Sequence, residues 1–246
     1  MIHHNPYHKT YRDVDGFFDY IESLGGDIQS LATRTGITLP PYKKKFHYES
    51  WLASCSFYEL AAKELGEPQF GLKWASNMPA DYRSSGPTLF MGSIAANMKK
   101  FLDLVTEYQK SHTNGIAYSY EIDKEDNRLT GYFDIHPLSP PHRQFCEHIV
   151  GGVAIMGRRY IKDFALTHVS FQHNMPEDLT LHEKIFQCPI EFNAARNSLS
   201  CEYEIFAVEG KPFLSNLFLP ALRSFLKVFS SKASTGRHPV TVSVVI

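Results

Sequence analysis

Apolar residues recur at helical spacing through the first half of the chain. Val14, Phe17, Phe18, Ile21 and Leu24 follow Asp13, whose carboxylate suits an N-cap, and Gly25-Gly26 stops that helix. Asp27 caps a short second helix with Ile28 and Leu31 inward, closed by Gly36. Pro40-Pro41 marks a loop. Tyr48, Trp51, Leu52, Cys55, Tyr58, Ala62 and Leu65 then form the stripe of a long third helix, ended by Gly66 and Pro68. Ser93 caps a fourth, with Ile94, Met98, Phe101, Leu102, Val105 and Tyr108 on one face.

The period then drops to two. Ile116, Tyr118, Tyr120 and Ile122 alternate with small and charged residues, "KEDN" turns the chain, and Leu129, Gly131, Phe133 and Ile135 alternate on the return. This predicts a β-hairpin. Pro140-Pro141 open a helix with Phe145, Ile149, Val153, Met156 and Tyr160 on a shared face; Gly151, Gly152 and Gly157 would let a strand or a ligand approach it closely. "FALTHVSF" reads as a strand and "MPEDLTLHEKIF" as a short helix. "PIEF" and "SLSC" read as two strands joined by a turn at Arg196-Asn197. "LSNLFLPALRSFLKVF" closes as an apolar helix, kinked or delayed by Pro220. The order predicts an α+β fold: a helical N-terminal half packed on a small antiparallel or mixed sheet (hairpin, helix, strand, helix, strand, strand), with a closing helix. "SSKASTGRHP", Ser230–Pro239, has linker composition, so the expected division is one domain over 1–229 and a linker with a short tail over 230–246. The tail "VTVSVVI" is either a strand or the first residues of a further domain.

The 246 residues are 43% hydrophobic and 21% charged, with net charge −1. That is ample for a core and lacks the basic excess of a dedicated nucleic-acid binder. The one basic run, Lys43-Lys44-Lys45, is a small surface footprint. No export signal and no apolar stretch near the ~20 residues of a membrane helix is visible. Cys55, Cys146, Cys188 and Cys201 form no C-x-x-C pair. A cytoplasmic chain with free thiols is therefore expected, and no membrane partner.

Chemistry is sparse. There is no phosphate-cradling loop, no G-x-S-x-G and no H-E-x-x-H. His142 and Cys146 stand four apart on a helix, but a closed metal site needs three or four ligands and His148 points to another side of that helix. His3, His4 and His8 belong to a polar terminus. The carboxylates Asp123, Glu125 and Asp126 suit a turn, and Glu177 and Asp178 suit a helix start. No catalytic set, metal site or cofactor is expected. A small-molecule enzyme remains only as an unsupported alternative. Amphipathic side chains do gather around the hairpin and the following helix. Tyr118 and Tyr120 share a strand face, Tyr132 lies on the return strand, Arg143 and His148 on the helix, and Phe171 and His173 at the end of the next strand. Together they have the make-up of a small-ligand pocket. A tyrosine-rich core with satisfied hydroxyls accounts for the same residues. On the closing helix, Leu219, Leu222, Phe225, Leu226 and Phe229 form a stripe that either packs on the core or serves self-association, making a homodimer.

Four stretches in order carry a family resemblance: "GDIQSLATRTGI", "ELGEPQFGLKWA", "SSGPTLFMGSIAANMKKFLDLVTEYQKSHTNG" and "VSFQHNMPEDLTLHEKIFQCPIEFNAARNSLSC". They resemble the N-terminal ligand-sensing, arabinose-binding-like domain of AraC-family bacterial transcription regulators, over roughly residues 14–230. The resemblance implies a regulatory domain with a small-molecule effector and dimerisation. It also implies contact with DNA only through a C-terminal helix-turn-helix domain, of which "HPVTVSVVI" stands about where it would begin. It explains Phe186–Phe206 as strand, turn and strand, without metal or disulfide. A looser similarity to haem-based nitric-oxide sensor domains would place Gln109, with His112 nearby, where those carry the proximal histidine; neutral Gln is a poor axial ligand.

Overall fold

The computed structural model describes residues 8–11, 16–39, 47–78, 98–108, 113, 115–137, 141–161 and 163–204. The strands are β1 (His8–Tyr11), β2 (His47–Ser50), β3 (Ile116–Asp123), β4 (Arg128–Ile135), β5 (Leu166–Ser170), β6 (Ile190–Glu191) and β7 (Asn197–Glu202). The helices are α1 (Phe17–Ser23), α2 (Ile28–Thr35), α3 (Trp51–Glu64), α4 (Phe70–Asn77), α5 (Met98–Tyr108), α6 (Arg143–Tyr160) and α7 (Thr180–Phe186). The fold is α+β, with the helical half first, as the periodicity predicts.

Local signals act where they were read. Asp27 accepts from Ser30 N at 2.9 Å and starts α2, and Gly36 ends it in the left-handed conformation at φ 77°. Asp123 Oδ1 accepts from the amides of Glu125 and Asp126, each at 3.1 Å, and shapes the β3–β4 turn. Three of the helical expectations are corrected. Tyr48 lies in β2, paired antiparallel with β1, and α3 starts only after Ser50, whose hydroxyl accepts from Ala53 N. α4 is an element that the apolar pattern did not announce. The buried face of α6 is also rotated from the one read. Val153 is 40% exposed, while Phe145, Cys146, Val150 and Ala154 are buried together with Gln144 and Glu147. A helix enclosed by α3, α4 and α7 buries more than one stripe, and its polar residues are then buried too.

The α6 glycines serve this enclosure. A Cβ on Gly151 would meet Leu72 at 2.7 Å and one on Gly157 would meet Phe164 at 2.5 Å, so the close neighbours are α4 and a core phenylalanine. The helical core holds Phe17 against Trp74 (5.0 Å between centroids), and Trp51 edge-on to Phe145 (4.8 Å).

The main sheet runs β3-β4-β7-β5-β6. β6 lies parallel to β5, and β7 lies antiparallel to both β5 and β4. The strands β6 and β7 therefore form no hairpin; β5 sits between them. Five residues, 192–196, span at most ~17 Å, enough to step over two strand spacings of ~4.8 Å. The register sorts the faces. Tyr118 opposes Phe133, Ile122 opposes Leu129 and Leu129 opposes Cys201, all on the side packed with helices. Ser119, Tyr132 and Ser198 align across the other face, as do Thr130, Ser200 and His168. The closing helix with its stripe Leu219, Leu222, Phe225, Leu226 and Phe229, the 229/230 boundary, the tail, Ser93, Gln109 and His112 lie outside the described residues.

Candidate functional site

The seven pocket residues named from the sequence fall into separate places. Tyr118 packs half-buried against the core, edge-on to Phe133 at 5.6 Å, and burial pushes its phenol well above the usual range. Tyr120 shares that face but donates to Asp103 of α5, which also pairs with Lys99 at 2.9 Å. His148 stands against Tyr58, 5.3 Å between ring centroids. Tyr132 is on the opposite face of the sheet from Tyr118 and Tyr120, because it registers with Ser119. Only Arg143, Phe171 and His173 come together.

Around Tyr132 the outer face is polar. The Arg196 guanidinium stacks 3.7 Å above the Tyr132 ring centroid and binds Asp134 through two bonds, at 2.8 and 2.6 Å. The Tyr132 hydroxyl donates to Glu121 at 2.9 Å. Thr130 and Ser200 share a hydroxyl bond of 2.9 Å, and Ser170 and Ser198 one of 2.7 Å. An open cleft of ≈ 990 Å³ crosses this face at the hairpin end, lined by Tyr132, Thr130, Ser200, His168, Glu121 and Arg128 among others. The sequence pattern predicts a turn at Arg196-Asn197. Instead Asn197 begins β7 and binds Gln172 N through Oδ1 at 2.9 Å, which fixes where β5 ends.

The second cluster centres on Glu147, whose side chain is fully buried. Its Oε1 accepts from His182 Nε2 at 2.9 Å and from Arg143 Nε at 2.8 Å, and His173 Nε2 stands 3.5 Å away. Burial alone would push this carboxyl up; the bonds and charges of His182 and Arg143 outweigh it and hold it below the ordinary value. Arg143 also donates to Pro68 O at 3.0 Å, so one guanidinium ties α6 to the start of α4. Phe171 packs on both imidazoles, at 4.8 Å from His173 and 6.1 Å from His182. Nearby, Glu59 of α3 accepts from Gln144 N at 2.7 Å and caps α6. Glu147 and His182 were not singled out from the sequence. They are 35 positions apart, and the only local signal was the Arg143–Glu147 spacing of four on one helix.

Neither place has the layout of a metal centre: among the described residues no group of three or more His, Cys, Asp or Glu could hold a metal ion. All four cysteines are free thiols, and burial pushes Cys201 up to about 12. Among the described residues no helix is long and apolar enough to cross a membrane.

The chain's relations agree with this architecture. Its fold is similar to the crystal structure of the transcriptional regulator CdpR from Pseudomonas aeruginosa, with a TM-score of 0.53 and 15% identity over 89% of this chain and 65% of that one. The chain thus spans under two thirds of that regulator's length. No curated protein sequence matches it. Residues 25–208 match the family described as the arabinose-binding domain of AraC transcription regulator, N-terminal, a family of regulator domains and not of enzymes. That match covers most of the described helices and the whole main sheet, so the chain belongs to the family of N-terminal arabinose-binding domains of AraC transcription regulators.

Proposed function

We propose that this chain is the cytoplasmic effector-binding and dimerising part of a transcription regulator, over residues 1–229. A small organic effector biases its conformation, and a DNA-binding domain following the linker at 230–246 reads the bias out. Membership of the family supports the regulatory role. The observation that carries the binding role is the outer cleft. It offers an aromatic ring (Tyr132), hydroxyls (Thr130, Ser200), an imidazole (His168) and charges of both signs (Glu121, Arg128) on a rigid five-stranded sheet. Such a lining suits a small polar molecule better than a lipid chain, whose burial needs an apolar wall. An effector acts only through its preference for one state over another.

A thermal-shift screen of small organic acids, sugars and lipids tests this. A true effector at about 100 times its Kd adds about 2.7 kcal/mol, a rise of about 5–10 °C for a chain of this size. Tyr132→Ala then weakens that ligand about tenfold, equivalent to about 1.4 kcal/mol. An unchanged affinity moves the site away from the cleft, and a broad screen without a hit removes the effector reading. For self-association, light scattering at high concentration should report twice the chain mass, and Leu222→Glu with Phe225→Glu should halve it. A monomer under all conditions rejects the dimer.

A further inference from the structure

β3 is an edge strand of the main sheet, and α5 packs on it. On the helix-packed side of β3, the Tyr120 hydroxyl donates to Asp103 of α5. One turn earlier on the same helix, Lys99 lines the outer cleft, and among the described lining residues it alone comes from a helix. α5 therefore reaches across the sheet edge and touches both sides of it. Lys99 pairs with Asp103 at 2.9 Å, and the Tyr120 phenol oxygen also faces its ammonium. An ammonium carries three donors, so at least one is left for the cleft. α5 is also shallowly held. Phe101, Leu102 and Val105 are half-buried, and none of the side chains described for this helix is buried, whereas α3 and α4 bury Trp51, Phe57, Phe70 and Trp74. An element with little buried apolar surface opens at a lower free energy than the core.

We propose that α5 is the element through which the cleft reports its occupant: an effector bearing a carboxylate or similar anionic group takes the free donor of Lys99 and holds α5 against β3.

This rests on the reading of the outer face as the effector cleft, and it names the two states that reading requires. With α5 docked, Lys99 stands in the cleft wall. With α5 lifted, the cleft lacks it. A ligand that touches Lys99 prefers the docked state, and that preference is the whole of its leverage. The described lining carries three cations, Lys99, Lys124 and Arg128, and three carboxylates, Glu121, Asp123 and Glu125. Two of the carboxylates already have donors. Asp123 takes Arg128 at 3.3 Å and the turn amides, and Glu121 takes the Tyr132 hydroxyl at 2.9 Å. Arg128 is answered again by Asp126 at 3.4 Å. The Glu191 carboxylate stands 3.9 Å from His168, at the far edge of the sheet from β3. The ammonium groups of Lys99 and Lys124 keep donors to give, and of the two Lys99 is the one on a helix that can move.

Amide exchange on the whole chain at pH 7 tests this, with a tethered charge standing in for the effector. Cys188, the one thiol that is not buried, is changed to Ser, and Thr130→Cys places a thiol in the cleft. A methanethiosulfonate reagent then attaches either an ethylsulfonate or an ethyltrimethylammonium group there. Before attachment, amides 98–108 should exchange at least about tenfold faster than those of β4 and β7. Tyr120→Phe should quicken them at least about fivefold more and leave β4 and β7 unchanged. The sulfonate should slow them at least about fivefold, and the trimethylammonium should not. Lys99→Met should remove the sulfonate effect, and its side chain is 61% exposed, so the fold should tolerate the change. Exchange of α5 in step with the sheet, no response to Tyr120→Phe, a sulfonate that leaves α5 unchanged, equal slowing by both charges, or a sulfonate effect that survives Lys99→Met would each overturn the proposal. All of those results leave the cleft standing as a binding place, which the Tyr132→Ala affinity judges separately. Should Thr130→Cys fail to fold, Arg128→Cys, at a side chain 50% exposed, carries the same tethers.

Discussion

Glu147→Ala should be among the most damaging single changes in this domain, lowering stability by about 3–5 kcal/mol. The carboxylate is fully buried, and its loss strips the partner from His182 Nε2 and Arg143 Nε at once. Arg143 retains the Pro68 carbonyl but loses its counter-charge. A domain's whole stability is about 5–15 kcal/mol, so the variant should unfold at least about 6–20 °C earlier, at 2–4 °C per kcal/mol for this size. Denaturant titration at pH 7 measures it. A double-mutant cycle with His182→Ala should return a coupling of about 1–3 kcal/mol, since the two side chains share one bond. The parent should also lose the Glu147 contribution in acid, because a carboxylate held below its ordinary value stabilises only while ionised. A single-variant loss under about 1 kcal/mol would mean that water reaches the carboxylate and that the cluster is not the buried joint described.

The second large effect belongs to Gly71→Ala on α4. A Cβ there would lie 2.0 Å from the Gln144 carbonyl oxygen and 2.8 Å from its carbon. Both are backbone atoms of α6 and cannot rotate away. The two helices would have to separate, breaking the bond from Gly71 N to Gln144 Oε1 at 2.8 Å and loosening Leu72, Trp74 and Ala75, all buried. Overpacking typically costs about 1–3 kcal/mol, and with the lost buried bond of about 1–3 kcal/mol the sum should exceed about 3 kcal/mol. Gly131→Ala on β4 is the control: its Cβ would meet nothing within 4 Å, and its backbone is not left-handed. It should change stability by less than about 1 kcal/mol. Equal thermal unfolding of the two variants would show that α4 and α6 do not cross as closely at Gly71.

Both predictions rest on contacts the sequence could not announce. Gly71 sits in "QFGLKWA", where Phe70, Leu72 and Trp74 recur every second residue and not at helical spacing, and only its approach to Gln144 explains a glycine there. Within the sequence Glu147 is only an i,i+4 neighbour of Arg143. Its role appears when α7 brings His182 across. Tyr132 shows a different limit. Alternation identified its strand, but a residue's face depends on parity within the register, and that placed Tyr132 away from Tyr118 and beside Arg196.

What the sequence determined by itself is what neighbours in the chain can enforce. It set the caps of α2, the β3–β4 turn, the period switch from helix to strand, free thiols, and the order of elements that marks the family. The tertiary structure decided which strand lies beside which. β6 and β7 each read as strands, yet β5 inserts between them, because a side-chain pattern sets a strand's faces and leaves its neighbours open. It also decided which polar groups meet in the interior. Glu147, His173, His182 and Arg143 are ordinary surface types in isolation. Once packing removes water from them, each is held by the hydrogen bonds and charges that the others supply.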